Sequence, residues 1–113
     1  MAAEQGDFAV AVVGESHYQI ALRSICGPGE VRHACRALLA LEDDNPYDSN
    51  AVSVNINGKK VGHLSRDYAV LYRKEWAKSI DLDGTWDALI IGGGDDREFV
   101  GVWLDLPDLI EYE

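Results

Sequence analysis

Long apolar runs are missing from this chain, and none approaches the ~20 residues that a bilayer-spanning helix needs. Cysteine is scarce: two residues, Cys26 and Cys35, are too few for a disulfide scaffold, and in a cytosolic protein they stay reduced. The opening residues Met1-Ala2-Ala3-Glu4-Gln5-Gly6-Asp7 have neither the basic region nor the apolar stretch of a secretory signal, so the expected location is cytoplasmic. Metal-ligand spacing is absent as well. His33 and Cys35 share a strand face, with His17 and Cys26 upstream, but there is no CxxC or HxxxH pair and structural zinc normally takes four ligands. No GxSxG, P-loop or nucleophile–base spacing occurs, and Gly92-Gly93-Gly94 runs into Asp95-Asp96, which repel phosphate. No cofactor, no metal and no catalytic activity are expected.

What is present fits one domain. The 113 residues are 47% hydrophobic and 27% charged, enough for a single core and too short for two. Net charge is −10, unevenly spread. Residues 32–78 carry eight bases and six acids, whereas residues 79–113 carry ten acids against Arg97 alone. Charges farther apart than ~8–10 Å are largely screened in cellular salt, so an acidic face can coexist with an anion site elsewhere. Strong non-specific binding to duplex DNA, which needs many phosphate contacts, is not expected.

Phe8–Val13 reads as a short buried strand ended by Gly14. Ser16 suits the N-cap of a helix over Tyr18–Cys26, stopped by Gly27-Pro28-Gly29. Val31–Leu41 alternates and predicts a long strand, although its Ala and Leu content also suits a helix. Glu42 to Asn50 is dense in turn formers. Ala51–Ile56 and Lys60–Leu64 flank Asn57-Gly58, the strongest hairpin signal in the chain. Ser65 can cap a helix from Arg66 to about Lys78, with Tyr68, Ala69, Tyr72 and Trp76 as its buried stripe. Thr85–Ile91 and Glu98–Leu104 predict two strands joined across residues 92–96, with Trp86 and Trp103 in the core. The sum is a mainly β domain with two short α-helices, a small OB-like or SH3-like, partly open barrel of five to six strands with its core in residues 7–106.

The stretch Asn45-Pro46-Tyr47-Asp48-Ser49-Asn50-Ala51-Val52, followed by Gly58-Lys59-Lys60-Val61-Gly62-His63-Leu64 and a helix, closely resembles the HIRAN family. Val12-Val13-Gly14 with Tyr18 is similar to that family's other signature. Gly92-Gly93 and Gly101-Val102-Trp103-Leu104 resemble the end of stand-alone bacterial members. The resemblance covers Phe8 to Leu106 and implies an OB-like barrel. It further implies a pocket that captures the 3′-hydroxyl end of single-stranded DNA. DNA-end-binding relatives have an Arg-Tyr pair where this chain has Ser16-His17, and an aromatic near the Gly92–Asp96 loop. Other members are fused to helicases or nucleases, so such a protein is a second candidate partner, docked through the acidic face or a barrel edge.

The residue chemistry is compatible with that implication. Tyr47 offers a stacking face worth ~1–3 kcal/mol per base. Asp48 can accept a bond from a terminal hydroxyl, and Asn45 and Asn50 offer donors and acceptors. His63 and Arg66 fall at a strand end and a helix N-terminus, where a phosphate is favoured. His17 and Tyr18 can form the facing wall. The same residues also suit structure alone: Asp48 capping turn amides, Asn50 bonding backbone, and Tyr18 and His63 packing.

Overall fold

The structure, a computed structural model, describes residues 8–75, 84–93 and 99–106. Six antiparallel strands form one curled sheet: β1 (Val10–Ala11), β2 (Val31–Leu41), β3 (Val52–Ile56), β4 (Lys59–His63), β5 (Thr85–Gly92) and β6 (Val100–Leu104). Two short helices, α1 (Gln19–Cys26) and α2 (Arg66–Glu75), accompany it. The spatial order is β1-β6-β5-β2-β3-β4. β2 is the spine, because its first eight residues pair with β5 and its last four with β3, and Leu38 is shared. One strand that changes partner along its length must bend, which curls the sheet around its apolar face.

That face holds the core. Val52, Val54 and Ile56 of β3, Val61 of β4, Ile90 of β5 and Leu104 of β6 are fully buried. Leu22 of α1 and Tyr68, Ala69 and Tyr72 of α2 join the same cluster. Ser65 caps α2 as its position predicts, accepting the Tyr68 N–H at 3.2 Å. Asn57 (φ 53°) and Gly58 (φ 79°) both take left-handed conformations, the pair that a two-residue hairpin turn requires. Among the described residues no helix is long and apolar enough to cross a membrane.

The N-terminal segment joins the two ends of the sheet. Val10 and Ala11 pair with Leu104 and Trp103 of β6, and the Val12 N–H donates to Val102 O at 2.9 Å. Val13 then exchanges two backbone bonds with His63 of β4, at 2.8 and 3.0 Å. The expected strand Phe8–Val13 is therefore only two residues long, because the segment changes partner instead of lengthening one ladder. Gly62 makes the crossing possible: a Cβ there would lie 2.5 Å from Val12 Cγ1 and 2.7 Å from Val13 O.

Four further expectations are corrected or reach past the described residues. Ser16 makes no capping bond, because a 3-10 turn (Glu15–Tyr18) opens at left-handed Gly14, whose carbonyl takes the His17 N–H. Trp103 is 39% exposed, outside the core, since alternation along β6 turns Val102 and Leu104 inward. The predicted extension of α2 through Trp76 to Lys78, and residues 94–98 of the β5–β6 connection, lie outside the described residues.

Candidate nucleic-acid interface

The loop between β2 and β3 is a chain of side-chain-capped turns. Asn45 Oδ1 accepts the Tyr47 and Asp48 amides at 2.8 and 3.1 Å, and Asp48 Oδ1 accepts the Asn50 amide at 3.0 Å. These are the Asx geometries by which short polar side chains stabilise turns. Arg73 of α2 clamps the far side of the loop, donating to Asn50 O, Ala51 O and Asp43 Oδ1 at 2.7–2.9 Å. Pinned this way, the loop holds Tyr47 with 88% of its surface exposed.

Beside it lies a group that residue patterning did not single out. Glu42, just past β2, receives the Asn45 Nδ2 amide at 3.0 Å and the His63 Nε2 contact at 2.9 Å on Oε1, while Lys60 Nζ closes on Oε2. Partial burial pushes the Glu42 carboxyl upward, but hydrogen bonds from Lys60, Asn45 and His63, joined by the charge of His63 when that ring is protonated, outweigh it and hold the carboxyl at about 2. Lys60 is raised in turn, chiefly by its bond to Glu42, with the nearby Tyr18 hydroxyl adding in the same sense. The 3-10 turn and α1 pack on β4, which brings Tyr18 to this cluster. A β-bulge makes the convergence possible. Strand alternation would put positions 60 and 63 on opposite faces, but the register slips between Val54 and Asn55, and Lys60 and His63 both reach Glu42.

The predicted residues are thus distributed as follows. Asn45, His63 and Tyr18 converge around Glu42, and Tyr47 stands at the rim two residues beyond Asn45. Asp48 faces the start of α2, with Arg66 Nε 3.6 Å from its Oδ2 and the Arg66 side chain largely in solvent. Asn50 is exposed, and it is engaged through its backbone, the N–H donating to Asp48 and the carbonyl accepting from Arg73. His17 is exposed on the 3-10 turn. Four of the seven described bases of the middle segment are paired: Arg36 with Asp87, Lys60 with Glu42, Arg66 with Asp48 and Arg73 with Asp43. Among the described residues no three His, Cys, Asp or Glu side chains gather as a metal site.

A curled six-stranded sheet with a polar, aromatic-tipped rim defines a small OB-like barrel module. The chain belongs to the HIRAN family: the HIRAN domain model matches residues 5–86. HIRAN domains are known as DNA-binding modules rather than catalysts. Among solved structures, the chain is similar to the HIRAN domain of human HLTF (21% identity, covering 67% of this chain and 74% of that one, TM-score 0.42). It is also similar to a protein from Lactobacillus plantarum (24% identity, 86% and 91% covered, TM-score 0.42). No curated protein matches.

Proposed function

We propose that this domain is a non-enzymatic binding module for single-stranded DNA that receives a 3′-hydroxyl strand end at the rim formed by Tyr18, Asn45, Tyr47, Asp48, His63 and Arg66. The observation that carries the reading is the joint placement of a fully presented aromatic ring and a hydrogen-bonding cluster on one rigid loop and the strand beside it. A base stacks on Tyr47 regardless of its identity. The terminal hydroxyl donates to an acceptor next to that ring, and Asp48 and His63 are the two candidates. Arg66 and the N–H donors of Lys60 meet the preceding phosphate. His17 and Asn50 border the same rim and offer further polar contacts. A terminal phosphate would meet the carboxylates of Glu42, Asp43, Asp44 and Asp48, so the end is read as unphosphorylated.

Fluorescence anisotropy at low salt tests this with one oligothymidylate carrying a 3′-hydroxyl, a 3′-phosphate or a duplexed 3′ end. The free hydroxyl end binds tightest. Tyr47→Ala weakens it about tenfold or more, from the loss of one stacking contact, while Lys74→Ala stays within about twofold. Equal affinity for all three ends rejects strand-end recognition.

A second reading has its own observation. Ile20 (90% exposed) and Phe99 (53% exposed) lie together on the surface near Arg23, and exposed Trp103 and Phe99 share a neighbouring apolar depression. Such an apolar patch, on a chain whose residues 79–113 carry ten acids against one base, suits a basic partner protein, for example a nuclease or helicase. Absence of oligonucleotide binding at low salt, with a stable complex formed by a purified basic partner, favours this reading.

A further inference from the structure

His63 touches Glu42 through Nε2 at 2.9 Å, and its Nδ1 has no partner among the described residues. Its side chain keeps 27% of its surface exposed, so the ring is held through Nε2 and is still partly open to solvent. An ionised carboxylate only accepts hydrogen bonds, so the nitrogen facing it carries the proton, and a neutral imidazole then has a bare lone pair on the other nitrogen. Glu42 cannot easily turn away, because Asn45 and Lys60 hold the same carboxylate from two other directions. Asp48, the other candidate acceptor, is differently placed. Its Oδ1 already takes the Asn50 amide at 3.0 Å and its Oδ2 lies 3.6 Å from Arg66 Nε.

We propose that Glu42 is a positioning residue that fixes the His63 tautomer, with Nε2–H toward the carboxylate and Nδ1 left as the lone-pair acceptor for the terminal 3′-hydroxyl. The assignment rests on the strand-end reading above and names the atom that makes the discrimination. Glu42 itself does not contact the ligand. It makes His63 an acceptor, where the opposite tautomer would present an N–H and favour a phosphate oxygen.

Two measurements on the full chain test it separately. Long-range nitrogen–proton NMR of the free protein at pH 7.5 reports the His63 tautomer without any ligand. The Nε2–H form is expected, and Glu42→Gln converts it to a mixture, because an amide can either accept from or donate to the ring. Anisotropy then compares an oligothymidylate ending in a 3′-hydroxyl with one ending in a 3′-deoxy sugar. Wild type prefers the hydroxyl about threefold to tenfold, the span of one neutral hydrogen bond. Glu42→Gln and His63→Phe bring the ratio near one, while Lys74→Ala, outside the rim, preserves it. A wild-type Nδ1–H tautomer overturns the assignment even if Glu42→Gln does not fold. A ratio abolished by Asp48→Asn but kept by Glu42→Gln also overturns it and leaves the strand-end reading standing. No preference in wild type removes both.

Discussion

Glu42 serves three donors with two oxygens, and its consequences can be followed by pH. Its folded carboxyl, at about 2, lies below the ordinary value of 4.5. Above pH 4.5 folded and unfolded chains are both ionised there, and the full stabilisation is present. As pH falls from 4.5 toward 2, the unfolded chain takes up the proton first, so stability drops across that window. Solvent around the part-exposed Lys60 screens the pair, which leaves an effect of order 1–2 kcal/mol. Urea titrations at pH 6 and pH 3 are expected to show a smaller acid loss in Glu42→Gln than in wild type; equal losses would remove Glu42 as the responsible group. Residue patterning missed Glu42 because the run Glu42-Asp43-Asp44 looks like solvated loop charge, and the bulge that aligns Lys60 with His63 leaves only Gly62 as a trace in the sequence. The turn chemistry of Asn45, Pro46 and Asp48 was legible, since the Asn and Asp side chains bond their own neighbours and proline fixes φ between them. Which side chains gather around that turn was not, because it depends on pairing between distant strands.

Among elements, the ones written in local signals are the ones recovered. β2 follows the alternation of Val31–Leu41, the β3–β4 hairpin follows Asn57-Gly58, and α2 follows Ser65. The first strand and the first helix start departed from expectation where a long-range crossing or a glycine conformation decided the outcome. Gln19 is another such case. Its side-chain amide donates to Val100 O at 2.9 Å and accepts the Val100 N–H at 3.0 Å, standing in for a strand on the edge of β6. Gly62 tests the crossing at this scale. In Gly62→Ala the new methyl meets Val12 Cγ1 and Val13 O at 2.5 and 2.7 Å, so the N-terminal segment must lift from β4. A loss of about 2–4 kcal/mol is expected, comparable to overpacking plus the Val13–His63 bonds. Hydrogen exchange should show the Val13 and His63 amides deprotected ahead of β2; unchanged protection would mean that the crossing carries no strain.

For the molecule as a whole, composition set the charge and the fold set how much of it is available. The net charge of −10 coexists with a rim whose bases are largely ion-paired, so few phosphates can be neutralised. Binding of single strands is therefore expected to depend weakly on salt. About two phosphate contacts give a log–log slope of roughly −1.4, against far steeper values for duplex binders. Anisotropy between 50 and 200 mM salt checks this, and a slope beyond about −4 would mean that a broad basic surface does the binding.

The Val12–Val102 bond and the Val13–His63 bridge also govern when the ring can close. During synthesis the apolar segment Phe8–Val13 emerges about fifty residues before β4 and about ninety before β6. At 5–20 residues per second, that is several seconds in which its β6-facing half has no partner. The nascent chain is thus more prone to aggregate before β6 arrives.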